Sequence, residues 1–331
     1  MENKSKRVIS IIIAMQVILA LGIVFLCLQN ISVSKAVKEY VGYNGEIHEI
    51  YDDTAVLEAY RSGDDSKLNE QDKFVLDTAK KVICEIIADD MSDYEKEKSV
   101  YDWLVGYTSY NAGSLAPISA GDEYSHEPYG VLKYHTAICV GNSTTMKLFL
   151  DMLGIENQII HSTENGEHAW NLVKLDGEWY HCDVTFDGGT GGIPAYTYFN
   201  VPDSVKDDGS YPWNHEVIPS ADGTKYCLIA NEAKELEDVY DIPKYLKEQL
   251  DEGKTMISFK LKDSSLYTAS AAEFIMQNFT VPDGELCLGE TMAIGSDTIY
   301  SISVWKYDGE SGEGDPEVLD KLQEIIDSIN Q

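Results

Sequence analysis

Apolar residues recur with helical spacing in the stretch from residue 139 to residue 154. Four of them fall at i, i+3, i+4 and i+7 and therefore share one helical face: Met146, Phe149, Leu150 and Leu153. Gly154 is a favourable C-terminal stop, because glycine adopts the left-handed conformation at little cost. Cys139 precedes Met146 by two helical turns, so we predict it on the same inward face, at the N-terminal end of the helix.

The residues after this helix alternate with the period of β-strands. We predict three strands, separated by a polar turn at 162–167 and by a two-residue hairpin turn at Asp176 and Gly177: Glu156 to His161, His168 to Leu175, and Glu178 to Thr185.

The two-residue turn fixes the register of the last two strands. Counting back from it places Trp170 opposite Asp183 and His168 opposite Thr185. His168 and Asp183 are then diagonal neighbours on one face, with backbone positions about 5–8 Å apart. At this separation the imidazole and the carboxylate can form a hydrogen bond. Trp170 shares this face and is expected to shield the pair.

Both flanks of this region carry their own patterns. Upstream, Glu70 to Asp90 is amphipathic, and Ser92 with Glu95 forms a capping box that opens a helix to about Val105. After Asn231 the pattern predicts a small α+β module with alternating elements: helices at Ile242 to Glu252, Ser270 to Phe279 and Pro316 to Ile329, and strands at Met256 to Leu261, Leu286 to Ile294 and Thr298 to Tyr307.

The N-terminus predicts a membrane location. Val8 to Leu28 is an apolar run without a charged residue, about as long as a bilayer-spanning helix. Lys4, Lys6 and Arg7 precede it, so we expect a single-pass anchor with a cytoplasmic N-terminus and an extracytoplasmic bulk. The alternative is a signal peptide whose cleavage after Ala36 releases a secreted chain.

The chain is strongly acidic, with a formal net charge of −32. This charge excludes nucleic acid as a natural partner, because phosphate binding requires the opposite sign. It favours basic peptides, cations or amine-bearing polymers, although it also serves to keep a surface soluble. The six cysteines show no disulfide or zinc spacing, and only a pairing such as Cys182 with Cys227 stays open.

Three residues form a candidate catalytic set, in the order nucleophile, base, orienter. Cys139 begins a helix, where free N–H groups and the helix dipole favour a thiolate and are expected to lower its pKa. His168 and Asp183, on one face of the hairpin, provide a base and the carboxylate that orients it. This combination is typical of nucleophilic acyl transfer. Each residue alone has a structural alternative, as a core thiol, a structural histidine and a turn cap, and it is the conjunction that favours catalysis.

A metal site is not predicted. His161, His181 and Cys182 are ligand types, but adjacent strand residues point to opposite sheet faces, so His181 and Cys182 cannot share a metal.

The segments that carry the candidate site residues resemble a known family. The segments AICVGN at 137–142, FLDMLGI at 149–155, HAWN at 168–171 and WYHCD at 179–183, together with Tyr198 to Asn200, are similar to the transglutaminase-like superfamily. The resemblance implies an α+β, papain-like core in which a helix bearing Cys139 packs on an antiparallel sheet. It also implies Cys139 as nucleophile, His168 as base and Asp183 as orienter. No cofactor is needed for that chemistry.

These inferences divide the chain into a cytoplasmic tip and anchor (1–29), a connector (30–68), a transglutaminase-like domain (69–230) and a small α+β domain (231–331). The expected function is acyl transfer from a protein or peptide substrate, or from a cell-envelope polymer, ending in hydrolysis or in transfer to an amine. The alternative is a binding module without turnover. Trp170, Tyr134 and His135 are the candidates for substrate contact.

Overall fold

The structure is a computed structural model that describes residues 47–110, 122–188, 194–279, 281, 284–289 and 291–306. The predicted anchor Val8 to Leu28 and the predicted final helix Pro316 to Ile329 lie outside these residues. Among the helices that are described, none is long and apolar enough to cross a membrane.

The first part of the described chain is helical. Its helices are α1 (Thr54–Ser62), α2 (Glu70–Ile86), α3 (Asp93–Tyr107), α4 (Pro128–Tyr134) and α5 (Cys139–Leu153), with a 3-10 turn at Asp122–Tyr124 and a short parallel pair, β1 (Ser109–Tyr110) and β2 (Thr136–Ala137). The capping box that opens α3 is present with both of its bonds, between Ser92 and Glu95. Helix α1 was not predicted, because its nine residues fall in the stretch that the sequence indicated to be a weakly structured connector.

Helix α5 lies at the centre of this part. It packs against α3 and α4 on one side and against strands β3 (Asn157–Ser162) and β4 (His168–Leu175) on the other. Its buried residues therefore occupy all of its faces, and not the single predicted one. It ends at Gly154, which adopts the expected left-handed conformation with φ 77°.

A four-stranded antiparallel sheet follows, in the order β3-β4-β5-β6, with β5 at Glu178–Cys182 and β6 at Phe199–Val201. Leu175 pairs with Glu178, as the two-residue turn predicts. The predicted strand to Thr185 is wrong in its last three residues, however. Asp183 leaves the sheet and caps a short helix, α6 (Val184–Asp187), because its side chain accepts from the backbone N–H of Thr185 and Phe186. His168 therefore has no strand partner at Thr185.

The remainder is also α+β. It contains α7 (Asp203–Lys206), α8 (Leu228–Asn231), a 3-10 turn at Val239–Asp241, α9 (Ile242–Asp251) and α10 (Ala269–Gln277), together with strands β7 (Lys234–Leu236), β8 (Met256–Leu261), β9 (Gly284–Leu288), β10 (Met292–Ile294) and β11 (Asp297–Lys306). The sheet order is β10-β11-β8-β7, with β9 also on β11. The single strand predicted at 286–294 is thus two strands, and β7, which pairs parallel to β8, was not predicted.

An apolar cluster joins the two sheets. Val201, Cys227 and Ile229 pack with four buried residues of the second sheet region: Met256, Met292, Ile294 and Ile299. The described residues from His48 onward accordingly form one compact unit. Cys182 and Cys227 are both free thiols, so the disulfide that the sequence left open is absent.

Candidate functional site

Cys139 is the first residue of α5 and is almost fully buried, with 4% of its surface exposed. The extended residue before it, Ile138, is tied to the preceding turn by its N–H bond to the carbonyl of Ser125. The Cys139 thiol approaches the carbonyl oxygen of Glu167 at 3.9 Å, and the backbone N–H of Ala169 also bonds to the sulfur. The thiol therefore lies against the backbone on both sides of His168.

The electrostatics of Cys139 differ from the expectation. Burial, together with the negative charges of Glu167 and Asp183, raises the pKa of the thiol to about 12, although N–H bonds from Ala169 and Val140 act in the opposite sense. The predicted lowering of this pKa by the helix N-terminus is therefore wrong for this structure. Desolvation outweighs the helix because almost no water reaches the sulfur.

His168 and Asp183 are joined by a buried hydrogen bond, as the hairpin argument predicts. His168 Nε2–H donates to Asp183 Oδ2 at 2.7 Å, and the two side chains are 4% and 0% exposed. His168 begins β4, whereas Asp183 comes one residue after the end of β5. The contact survives the loss of the predicted pairing because the cap keeps the carboxylate beside the first turn of α6.

Asp183 receives bonds at both of its oxygens. Oδ1 accepts from the N–H groups of Thr185 and Phe186, each at 3.1 Å, and Oδ2 accepts from His168 and from Lys206 Nζ, the latter at 2.5 Å. Burial by itself raises the pKa of Asp183, but the charge of Lys206, followed by that of His168, outweighs burial and holds the pKa well below its ordinary value. The carboxylate is therefore ionised in the folded protein at every ordinary pH.

Aromatic rings surround the imidazole of His168. Phe186 stacks on it at 4.3 Å between centroids and Tyr211 lies at 4.6 Å. Phe186 is 40% exposed and forms the open side of this arrangement. Trp170, at 5.5 Å, is 1% exposed and donates its indole N–H to His181 Nδ1 at 2.9 Å. Trp170 supports His168 from within the protein and is not a surface that a substrate reaches in this structure.

The other two candidates for substrate contact lie at the end of α4. Tyr134 packs among Tyr124 and Tyr129, and the His135 ring lies 4.1 Å from that of Tyr107. His135 is also the left-handed C-cap of α4, with φ 57°. The ring contacts and the C-cap therefore account for both residues as structural parts of the segment that precedes α5.

The turn before His168 is held by a carboxylate between two histidines. Glu167 accepts from the backbone N–H and ring of His48, both at 2.6 Å, and from His161 Nε2 at 2.8 Å. Although burial alone would raise the pKa of Glu167, these bonds lower it. The bonds to the Glu167 side chain hold this residue in place, and with it the Glu167 carbonyl against which the Cys139 thiol lies.

His181 and Cys182 point to opposite sides of the sheet, as predicted. His181 Nε2–H donates to Asp203 Oδ1 at 2.7 Å, whereas the Cys182 thiol lies 3.1 Å from Glu97 Oε1. Within the described part of the chain, no group of histidine, cysteine and carboxylate side chains could hold a metal ion.

Sequence reasoning missed Lys206, Phe186 and Tyr211. Phe186 follows Asp183 by three residues, so the recognition of the aspartate as a helix cap would have located it. Lys206 and Tyr211 follow β6 in the sequence and meet the site only through tertiary packing. No local sequence pattern predicts their position there.

Comparison with known proteins agrees with the resemblance seen in the sequence. Residues 80–184 match the family described as the transglutaminase-like superfamily. Kyphoscoliosis peptidase of Homo sapiens is 22% identical over 129 residues, which are 34% of this chain and 19% of that protein. The chain thus spans about a fifth of the length of this relative.

Two solved structures are also similar. One is described as a TGase, with a TM-score of 0.28 and 18% identity over 39% of this chain and 36% of the other. The second is a putative protease from Parabacteroides distasonis ATCC 8503, with a TM-score of 0.29 and 11% identity over 76% of this chain and 52% of the other. Because both TM-scores are low, conclusions about the site depend on this chain's own residues.

Proposed function

We propose that this chain, which carries a transglutaminase-like domain at residues 80–184, is a papain-like cysteine enzyme that transfers acyl groups from protein or peptide carbonyls. The observation that supports this most directly is the thiol of Cys139, which lies at the start of a helix and against the backbone on both sides of His168, whose ring makes a buried hydrogen bond of 2.7 Å to Asp183. His168 Nε2 is engaged by Asp183, so His168 Nδ1 is the nitrogen that accepts the proton of Cys139.

The reaction needs only these residues and the substrate. His168 Nδ1 takes the proton of Cys139 as the sulfur attacks the carbonyl carbon; a C–S bond forms and the carbonyl electron pair moves to oxygen. When the tetrahedral intermediate collapses, the C–N bond breaks and the amine leaves with the proton from Nδ1. Water or a second amine then attacks the thioester and gives its proton to His168. The C–S bond breaks, and the departing Cys139 thiolate recovers that proton.

Backbone N–H groups near the sulfur are suited to stabilise the oxyanion. Those of Val140 and Ala169 already bond to the sulfur, and the first N–H groups of a helix have no partner within it. Since the resting thiol has a raised pKa, we infer that its proton leaves only as the substrate displaces the groups that bury it. Phe186 is the exposed ring beside which the substrate would lie.

We also propose that the enzyme acts at the outer face of a membrane, on a protein, peptide or cell-envelope polymer. The apolar run Val8 to Leu28, with basic residues before it, supports this location. Expression of the full chain tests it. We expect the protein to sediment with membranes and its residues beyond Asn30 to be digested by protease added to intact cells. A soluble mature chain that begins near Val37 would instead establish a cleaved signal peptide.

The catalytic proposal is tested by trapping the acyl-enzyme. The full-length protein is incubated with a peptide library, with and without a biotin-tagged primary amine, and the adducts are identified by mass spectrometry. We expect a thioester at Cys139 that disappears in Cys139→Ala and persists in Cys84→Ala, a matched change at an exposed free thiol. Incorporation of the amine would identify a transferase, and release of acid alone a hydrolase. Turnover retained in Cys139→Ala would refute the assignment.

One observation favours the second candidate, a binding module without turnover. Cys139 is 4% exposed and its pKa is raised to about 12, so the resting thiol is poorly reactive. The two proposals differ in the trapping experiment: the module would bind peptides reversibly but would yield no adduct at Cys139, even with activated esters.

A further inference from the structure

Lys206 lies inside the site although its charge is of a kind seldom buried. It is the last residue of α7 and is 6% exposed. Its ammonium contacts Asp183 Oδ2 at 2.5 Å, and it lies over the rings of Phe186, Tyr198 and Trp170 at 4.0, 4.7 and 4.8 Å from their centroids. A lysine in such surroundings is stable only if a carboxylate compensates its charge.

The helix that carries Lys206 is tied down at its other end. His181 accepts from Trp170 at Nδ1, so its Nε2 carries the hydrogen and donates to Asp203 Oδ1 at 2.7 Å. Oδ2 of Asp203 accepts from the Ser220 hydroxyl and from the N–H of Ala221, each at 3.2 Å. A second histidine–carboxylate pair, with a buried histidine and a partly exposed aspartate, therefore fixes α7 to β5, and this fixes where the Lys206 side chain begins.

Lys206 and His168 meet on the same oxygen of Asp183. Oδ1 is fully engaged by the cap of α6, so Oδ2 alone remains for the imidazole and the ammonium. Without the ammonium, Oδ2 would keep only the bond from His168, and the buried charge of the carboxylate would lose the cation that compensates it. With it, the carboxylate is fixed in both position and charge.

We infer that Lys206 is a positioning residue of the acyl-transfer site: its ammonium holds the ionised Asp183 carboxylate so that Oδ2 orients the His168 ring toward Cys139. This inference rests on the proposed function for its chemistry. Lys206 acts through Asp183 and takes no part in the proton transfers of the reaction.

The pH dependence of the reaction separates this role from a purely structural one. The groups that face Asp183 are His168 on β4, Lys206 on α7, Asp187 on α6 and the Tyr101 hydroxyl on α3, which donates to the Asp183 carbonyl. The charge of Asp183 also acts on Cys139 of α5, His181 of β5 and Tyr110 of β1. Burial alone raises the pKa of Asp183, and the Lys206 charge is the largest of the effects that lower it. Loss of this charge should therefore protonate Asp183 at a higher pH and weaken its hold on His168.

The experiment compares Lys206→Met with Lys206→Arg in the full-length protein. Acylation by 4-nitrophenyl acetate and alkylation by iodoacetamide, both at Cys139, are followed from pH 4 to pH 9. For Lys206→Met we expect acylation at neutral pH to fall about ten-fold or more, as for the loss of a charged hydrogen bond, with KM unchanged. In the wild type Asp183 is ionised over this whole range, so other groups set the acid limb; in Lys206→Met the uncompensated burial of Asp183 should add its protonation and shift the acid limb to higher pH. Lys206→Arg keeps the charge and should return the acid limb to its wild-type position.

Lys98→Met is the matched control, because Lys98 also contacts a carboxylate, that of Asp102, and a tyrosine ring, that of Tyr196, away from the site. It should lower thermal stability without a change in either pH profile. A folded Lys206→Met with the wild-type acid limb overturns the inference. If circular dichroism shows that Lys206→Met is unfolded, Lys206→Gln takes its place, and an unchanged acid limb in that variant overturns the inference equally.

The two proposals fail in different ways. If the wild type acylates no faster than Cys139→Ala, the proposed function has failed, and the alkylation profile alone then decides the role of Lys206. If the wild type acylates and the Lys206 variants follow it at every pH, the proposed function stands and Lys206 is a structural contact only.

Discussion

Glu97 gives the sharpest prediction, because it is a fully buried carboxyl group in α3. The Cys182 thiol donates to its Oε1 at 3.1 Å and the Asn200 amide donates to its Oε2 at 2.9 Å. Burial, which these two bonds only partly offset, raises the pKa of Glu97 from 4.5 to about 7. Glu97 is thus protonated in the folded protein over a range of pH in which it is ionised in the unfolded chain.

The sign of the effect follows from that difference. A carboxyl group with a raised pKa in the folded state contributes stability that is fully present below pH 4.5 and is lost as the pH rises toward 7. A difference of about 2.5 pKa units corresponds to about 3 kcal/mol of unfolding free energy. Glu97→Gln, which cannot ionise, should therefore gain about 3 kcal/mol relative to wild type between pH 5 and pH 8.

Urea denaturation of both proteins at each pH measures this difference. Glu58→Gln, an exposed change on α1, is the control and should parallel the wild type throughout. Asp187 is also buried, with its pKa raised to about 7. It contributes the same pH dependence to the unfolding free energy of every variant, so its contribution cancels in the difference between variants. If the unfolding free energies of Glu97→Gln and wild type ran parallel from pH 5 to pH 8, the argument from burial would be refuted.

Two further predictions concern the site and the C-terminal part. Asp183→Asn should lower acyl transfer on the order of a thousand-fold or more while leaving measurable activity, because the orienter acts through the His168 ring. Single-turnover rates of the variant and the wild type measure this loss, and a rate within ten-fold of wild type would contradict the prediction. A fragment that ends at Ala230 should lose cooperative thermal unfolding, because it exposes Val201, Cys227 and Ile229, and each buried side chain of that size is worth about 1.5–3 kcal/mol; a sharp calorimetric transition in the fragment would contradict this.

The hairpin was predictable because its information is local. Asp176 and Gly177 both adopt positive φ, 49° and 89°, and this two-residue turn leaves one register for the strands beside it. The helix of Cys139 was predictable for the same reason, from its apolar spacing and from Gly154. The hairpin alone was enough to predict that His168 lies close to Asp183, and the helix placed Cys139 at its N-terminal end.

Other features depend on contacts that the local sequence does not contain. The sequence does not show that Asp183 would cap α6 in preference to extending β5, since both outcomes suit the residues that follow it. The pKa of Cys139 is set by burial and by the charges of Glu167, in the turn before β4, and of Asp183, the cap of α6, so the helix N-terminus alone gave the wrong direction. Lys206 lies 23 residues beyond Asp183 and meets it only through tertiary packing.

The capping role of Asp183 bears on how related sequences should be interpreted. A chain that had lost its nucleophile would still need this aspartate to end β5 and begin α6, and it would still need a histidine and a lysine to neutralise it. Selection for folding alone would therefore retain three of the four residues of the site. Among relatives, the identity of the residue at position 139 is the informative marker of activity, and an intact His168–Asp183 pair is weak evidence for it.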